Sequence, residues 1–564
     1  MVLVYRFHCR LLPRVSGGWY RPVNTLNLLT EGVVRVQDGD GLVHGLSLPQ
    51  LLARLSAAEV LDFPLLRPHQ QPAWHAFLVQ LAYLALEQAE LAKPPTDAVS
   101  WLSLLRGLTP AHPADEPWHL VVDDWQVPAF LQSPCQPGAQ ADYRGVLQSA
   151  QEIDLLITSK NHDEKVGKMP RVGASNADVV VFALVSLQGF AGFLGVGNYN
   201  TMRMNGGFAS RAQFRLVFQR GAGPEFLRDL SVLLAQADRL RERAMEFEIG
   251  SALQHRLLWL APWGAEALSL AAVHPLCLEV CRRIRLRLHA GALQALTAAS
   301  KSARVDAKLR NGVVLDPWTP LVREGKDGGA KALTAHAGSF GYRYLSPILF
   351  EAKRFDLPLL ALPAPTERGA GVLVAQVLVG GSGRTDGLLR REIPLRGRAL
   401  RNFADTRTEL AIRARKFVEI AGTLQGKVLR PALLQFVDGS NEPDWQNGDF
   451  GKYVAPWIAQ FDQRVDDVFY EALFDSLESE LTDLAAETQW LGLLRGLAQT
   501  LLSQALEALP SRDGSRVFAR ARAERLFVGG LYKQFRPQLP APAHADPASA
   551  DPLTEPEPDH VPSV

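Results

Sequence analysis

The stretch Leu155–Arg211, LLITSKNHDEKVGKMPRVGASNADVVVFALVSLQGFAGFLGVGNYNTMRMNGGFASR, decides how the rest of the chain is read. It opens with a polar, basic loop carrying Lys160, Asn161, His162, Lys165, Lys168 and Arg171. A turn of small residues follows, Gly173-Ala174-Ser175-Asn176, and then an apolar run from Val179 to Leu187. Beyond it the chain becomes glycine-rich again and carries Asn198, Arg203, Asn205 and Arg211. The expectation is one buried element flanked by two donor-rich loops. Glycine permits close backbone approach and positive φ, while Lys, Arg and Asn supply donors. That combination suits a phosphate backbone or a base edge. A long surface hairpin with ordinary glycine turns is the other reading of the same residues.

Working upstream, NLLTEGVVRVQDGDGLVHGLSLPQLLARL from Asn27 reads as strand, turn, strand, helix, with Asp38-Gly39-Asp40-Gly41 as the turn. Ser47 is placed to cap the helix and Pro49 falls in its first turn. Gln70–Glu90 is a long apolar helix with His69 and His75 at its border, read as surface or cap histidines. Pro110–Pro137 is proline-rich and irregular. Downstream, Glu225–Glu248 reads as one charged helix, and Leu258–Pro262 as strand or loop. LCLEVCRRIRLRL, Leu276–Leu288, reads as an amphipathic helix with a basic, salt-bridged or solvated face and with Cys277 and Cys281 on its apolar side. Ala299–Asp316 carries Lys301, Arg304, Lys308 and Arg310, and Asp316-Pro317-Trp318-Thr319-Pro320 reads as a rigid turn. Val372–Val379 is a strand that ends in the glycine-rich tip Gly380–Gly387.

From Asp405 the period becomes helical. Asp405–Phe436, ending or kinking near Pro431, is followed by Pro456–Ala485, Trp490–Leu509 and Ser515–Phe535. Four such helices predict an antiparallel bundle. Arg516, Arg520, Arg522, Arg525 and Lys533 make the last one basic, either as a solvated face or as a backbone-charge contact for DNA. The fold class is therefore α+β: an irregular extension 1–23, a large mixed α/β domain 24–400, a four-helix bundle 401–536 and a disordered tail 537–564 rich in Pro, Ala, Asp and Glu.

The totals narrow the function. A net charge of +1 gives no overall field toward a polyanion, so any nucleic-acid site rests on local clustering. The four cysteines are too scattered for a disulfide framework or a structural zinc site, which fits a reducing cytoplasm, and the apolar runs are too short and too charged to span a membrane. No Walker loop, no dinucleotide fingerprint in a strand-to-helix context and no nucleophile elbow is found. His162-Asp163 leaves open a metal-dependent nuclease or phosphohydrolase, although no partner motif completes such a site.

In order, NLLTEGVVRV, SLPQLLARL, FLQSP at Phe130, GNYNTMRMNGGFASR, LCLEVCRRIRL, DPWTP and GGSGRTDG before LLRREIP resemble the CasA family, the large subunit of the type I-E CRISPR Cascade surveillance complex, over about Asn24–Phe535. The resemblance implies an α/β domain joined to a four-helix bundle. It implies a non-catalytic subunit without cofactor or metal that recognises the protospacer-adjacent motif (PAM) in double-stranded DNA, helps open the duplex and helps recruit the Cas helicase–nuclease. Other Cascade subunits, the guide RNA and target DNA are the implied partners.

Carried onto this sequence, Lys160–Arg171 corresponds to the loop contacting the guide's 5′ handle. Gly173–Asn176 falls at the glycine loop, although only Gly173 is glycine. Gly383–Gly387 falls at the strand-parting wedge, with Arg384, Thr385 and Asp386 where the best-known member has a glutamine. The minor-groove lysine corresponds to Lys308 or Lys301. Arg516, Arg520 and Arg525 are the residues placed to hold displaced DNA. The cysteine-rich zinc site of some relatives is absent here.

Overall fold

Ser47 starts the first helix as its side chain dictates. Its Oγ accepts from Gln50 N at 3.4 Å and its own N donates to Gln50 Oε1 at 2.9 Å, a reciprocal cap that satisfies two orphan donors. The structure, a computed structural model, describes residues 26–59, 61–147, 150–153, 176–206, 211–252, 255–324, 329–336, 338–381, 384–405, 407–440, 448–511 and 516–539. Residues 1–415 and 416–564 form two compact units. The expected extension 1–23, the basic loop Lys160–Arg171, Gly173–Ser175 and nearly all of the expected tail lie outside the described residues.

The first unit is mixed α/β, with small sheets among helices. The hairpin β1 (Val34–Gln37) and β2 (Val43–Leu46) leads into α1 (Leu48–Ser56), α2 (Gln71–Gln88) and α3 (Ala98–Gly107). The short β3 (Gly145–Leu147) and α4 (Ala150–Ile153) precede α5 (Ala177–Phe190). Its apolar run, continuous rather than alternating, makes α5 buried on nearly every side, so the surface-hairpin reading is set aside. The same holds for α2, around which α3, α5 and α6 (Ala222–Ala235) gather, with α1 packed on α3 and α6. Trp74 stacks on Phe77 at 5.5 Å and meets Phe182 of α5 edge-on at 5.0 Å.

The expected single helix Glu225–Glu248 is two, α6 and α7 (Ala237–Glu246), broken at Gln236. The break falls where composition changes. Phe226, Leu230 and Leu233 bury α6, whereas only Ala244 of α7 is buried.

Leu276–Leu288 is not a helix. It ends β7 (Val273–Leu278) and begins β8 (Arg283–His289), which pairs with β9 (Ala292–Ala298) across Ala290-Gly291, both at positive φ. Ile284, Leu286 and Leu288 alternate with arginines at period two, and that alternation prevails over the helical spacing. Of the expected salt-bridged or solvated basic face, Arg283 makes an ion pair with Asp142 at 3.1 Å, while Arg282 and Arg285 are buried. Arg285 is fully buried and donates to the carbonyls of Val127, Gln132, Val122 and Asp124. Cys277 and Cys281 are buried thiols, and burial pushes Cys281 up to about 11.

Two short parallel pairs tie loops together: β5 (His255–Leu257) with β7, and β6 (Leu268–Ser269) with β10 (Val305–Asp306). A separate antiparallel sheet sets β11 (Leu321–Glu324) between β12 (Gly329–Ala332) and β13 (Phe355–Asp356).

Buried arginines recur as carbonyl collectors. Arg304, lowered to about 10 by burial, donates to Leu258, Ala261 and Pro262 and lies 4.9 Å over Trp263. Long irregular connections thereby gain backbone partners that short sheets cannot supply. His75, read as a surface or cap residue, instead meets the buried Asp229 at 2.8 Å.

Burial alone would raise the carboxyls of Asp229 and Asp316. His75 with Arg215 and Arg228 beside the first, and Arg211 beside the second, more than offset it, so both titrate below the usual range. Depressed carboxyls contribute stability that is present above their unfolded values and lost as pH falls through the folded ones. The urea midpoint is therefore expected to drop steeply once pH falls below about 4.

The sheet that matters most joins β4 (Gln213–Val217), β14 (Gly371–Gly381) and β15 (Arg384–Leu395), in the order β15-β14-β4, all antiparallel. Thr408–Leu424, which carries the chain from the first unit into the second, runs through a π-helical turn, Gln425–Leu429, into Arg430–Asp438. The kink expected near Pro431 is this turn, immediately before a residue with no N–H to donate. Gly448–Glu478, Asp483–Ala508 and Arg516–Gln534 complete four helical rods. The second of these four ends earlier than Ala485, because Thr482 caps the third through Ala485 N at 3.3 Å. Phe417 stacks on Trp490 at 4.9 Å, and Phe469 closes on both edge-on.

Candidate nucleic-acid interface

The connection from β9 to β10 and the turn after it carry both candidate lysines. Lys301 and Lys308 are exposed. This connection lies against the glycine-rich segment 192–206, which leaves the C-terminal end of α5. Ser300 N donates to Gly197 O at 3.0 Å, and Tyr199 OH donates to Lys301 O at 3.2 Å. Gly197, at φ +89, sits where a Cβ would lie 2.7 Å from Ala299 Cβ. Farther along, Lys308–Arg310 forms one turn of 3-10 helix that ends on Asn311 and Gly312, both at positive φ.

Gly312 is the tightest point of this contact. A Cβ there would meet Ala332 Cβ at 2.6 Å, and Asn205 N and the Met204 carbonyl carbon at 2.9 Å. Gly312→Ala is expected to cost about 1–3 kcal/mol through the strained left-handed residue and the backbone clash. Its urea midpoint should fall, and limited proteolysis should cut first near residues 204–206 or 308–312.

Arg203 and Arg211, read as loop donors, are not surface groups. Arg203 is buried and paired with Glu279, and it also donates to the carbonyls of Pro275 and Cys277. Arg211 forks onto buried Asp316 at 2.7 and 3.1 Å and lies 4.4 Å over Phe190. Arg282 donates to Tyr199 O and to Gly192 O, stapling the glycine-rich segment from beneath. Asn198, Asn200, Asn205 and Arg310 are half-buried on these segments, and the two lysines are exposed.

The hairpin tip is built on a different element, the β15-β14-β4 sheet. Strand β4 runs antiparallel to β14, so its first residue, Gln213, pairs with Gln376, on the tip side. From Gln376 to Gly381 the hairpin runs on beyond its β4 partner by about 17 Å. Arg211 precedes β4 at that end. At the tip, Gly380 pairs with Thr385 and Gly381 with Arg384, while Val379 pairs with Gly387. Asp386 is thus the extra residue of a bulge, next to Gly387 at φ +114.

Asn176 is the exposed N-cap position of α5, at the opposite end of that helix from Gly192 and about 21 Å away along 14 residues. The helix therefore separates Asn176 from the lysine-bearing connection. In the second unit, Arg516 donates to the carbonyls of Leu506, Glu507 and Leu509, so it caps the preceding helix. Arg520 pairs with Glu524 at 2.9 Å, and Arg525 is exposed. Among the described residues no group of three or more His, Cys, Asp or Glu is placed to hold a metal ion, and no helix is long and apolar enough to cross a membrane.

Tyr199, Arg282 and Gly312 escape reasoning from sequence. Only Gly312 carries a signal, the dipeptide Asn311-Gly312, which marks two consecutive positive-φ residues.

Residues 27–508 match the family model described as CRISPR-associated protein Cse1. No curated protein matches. Among solved structures the chain is similar to Cse1 from Acidimicrobium ferrooxidans, with a TM-score of 0.61 at 16% identity over 92% of this chain and 99% of that one. It is similar to CasA of Thermus thermophilus, with a TM-score of 0.59 at 15% identity over 90% and 100% of the two chains. Cse1 of Thermobifida fusca gives a TM-score of 0.59 at 15% identity over 91% and 99%. At such identities these likenesses speak for the fold.

Proposed function

The chain belongs to the Cse1/CasA family, the large subunits of type I-E Cascade, and from that premise we propose that it recognises the PAM in double-stranded DNA and helps open the duplex for guide pairing. In the same reading it recruits the Cas helicase–nuclease, cuts nothing itself and works in the cytoplasm. The observation that carries the reading is the meeting of the glycine-rich segment 192–206 with the connection that bears exposed Lys301 and Lys308. A separate hairpin, overhanging the Gln213 end of β4, supplies the candidate wedge.

The minor groove presents a degenerate pattern, so close backbone approach and one lysine are enough for a short, permissive motif. The guide RNA supplies the rest of the specificity by pairing. Lys160–Arg171 takes the guide's 5′ handle, and Gly173–Asn176 lies along the PAM. Arg520 and Arg525 offer backbone charge to displaced DNA, whereas Arg516 serves its helix end.

The test is Lys301→Ala with Lys308→Ala in the assembled, guide-loaded complex, titrated against a PAM-bearing duplex at several salt concentrations. Affinity is expected to fall about tenfold, and the log–log salt slope to become shallower by about one to two. Unchanged affinity and slope would remove both lysines from the contact.

A further inference from the structure

Leu309 is 93% exposed at the crest of the 3-10 turn, between Lys308 and Arg310. A lone exposed leucine is ordinary on a protein surface. This one is held rigidly. Arg310 N bonds to Ala307 O at 3.0 Å, and Val313 N to Arg310 O at 2.8 Å. Ala332 N bonds to Asn311 O at 2.9 Å, and Arg310 Nη2 to Phe247 O at 2.9 Å. Gly312 locks the far side against Met204 and Asn205. The fold thus fixes an apolar side chain outward where nothing among the described residues of its own unit covers it.

We propose that Leu309 is a wedge that enters a base-pair step of the target duplex from the minor groove while Lys308 beside it holds the groove. The wedge rests on the DNA-binding reading above and adds a second point of insertion, distinct from the hairpin tip. Proteins that enter the minor groove insert apolar side chains between base steps and flank them with cations. Lys308 supplies that cation here, while Arg310 is held by Phe247 O and Glu248. A protein partner would ask for a broader apolar patch around a leucine anchor. Here the neighbours are Asp306, Lys308 and Arg310, with exposed Glu248 lying 3.9 Å from Arg310. Stacked bases bury the leucine, and the flanking lysine meets phosphate.

The experiment uses the assembled, guide-loaded complex with Leu309→Ala, Leu309→Met or Lys308→Ala. Opening is followed by a base analogue that brightens on unstacking, placed at successive steps beside the PAM. Encounter is read separately on a PAM-bearing duplex whose strands are cross-linked and cannot part. Leu309→Ala is expected to slow opening about tenfold at one step while binding to the cross-linked duplex changes less than about twofold. Leu309→Met, which keeps apolar length, should open at close to the parent rate. Lys308→Ala should weaken binding to both duplexes and flatten its salt dependence. If Leu309→Ala opens DNA at the parent rate, or loses both duplexes equally, or prevents the complex from assembling, the wedge is wrong. If the parent complex discriminates the PAM and Lys308→Ala weakens it while Leu309→Ala does nothing, only the wedge fails. If Lys308→Ala and Lys301→Ala also change nothing, the contact surface itself is misplaced.

Discussion

Glu279→Ala is expected to destabilise the first unit by about 3–5 kcal/mol, the loss typical of a buried charge deprived of its partner. Arg203 is 1% exposed, and Glu279 Oε1 accepts from its Nη1. Burial disfavours the guanidinium charge. Glu279, with Cys277 and Asp316 adding to it, more than offsets that and holds the group charged. With Glu279 gone, Arg203 keeps the carbonyls of Pro275 and Cys277 and the Cys277 Sγ at 4.0 Å, and no carboxylate partner among these bonds. Met202 N, which donates to Glu279 Oε2 at 2.9 Å, loses its partner as well. A typical domain is stable by only about 5–15 kcal/mol, so much of the folded population is at risk. Removing both charges tests the cause. Arg203→Met with Glu279→Leu should recover most of the loss, because an apolar pair leaves no orphan charge. Urea midpoints of the two variants measure this. Equal losses in the single and double variants would show that Glu279 acts through shape, not charge. The effect also reaches the interface, since residues 202–205 are the bed on which Gly312 and the Lys308 turn rest.

The same pair shows what the sequence can and cannot reveal. Local chemistry is legible: the Ser47 cap, the Asp38–Gly41 turn, the apolar α2, the hairpin from Val372 and the kink before Pro431 each depend on residues within a turn or two of one another. The buried arginines are not. Arg203 and Glu279 are 76 positions apart, and the carbonyls that Arg285 collects lie more than 150 positions upstream. A charged residue in a glycine-rich or alternating stretch therefore reads as solvated until the covering segment is known. Leu276–Leu288 reads as a helix for a related reason. Leu276, Val280 and Ile284 satisfy a four-residue spacing, and Ile284, Leu286 and Leu288 satisfy a two-residue one. Pairing with β9 decides between them, and that partner is a tertiary fact. At the interface the residue types are readable and their grouping is not. The meeting of segments 192–206 and 299–312 hangs on Gly197, Gly312 and Tyr199, whose partners lie about a hundred residues away.

Thr385→Gly with Asp386→Gly is expected to slow duplex opening by about ten- to a hundredfold in the assembled complex. Unstacking a step costs a few kcal/mol, and each 1.4 kcal/mol of lost support is about tenfold in rate. The overhang is the origin of the effect. Strands β14 and β15 stay paired to Gly381 and Arg384, well past the last residue that β4 supports, so the tip stands clear of its sheet while keeping a ladder of its own. The bulge at Asp386 and the positive φ of Gly387 bend the hairpin at that level. Two added glycines leave the remaining ladder bonds available. They remove the side-chain bulk that would fill the gap between separated bases, and they loosen the crest. Encounter should respond differently. It is governed by charge, Arg384 is retained and one carboxylate is lost, so binding to a cross-linked PAM duplex should be unchanged or slightly tighter. Opening and encounter are thereby predicted to move independently. If opening proceeds at the parent rate, the hairpin is a bystander. If both fall together, the tip works as part of the docking surface and the strands are parted elsewhere.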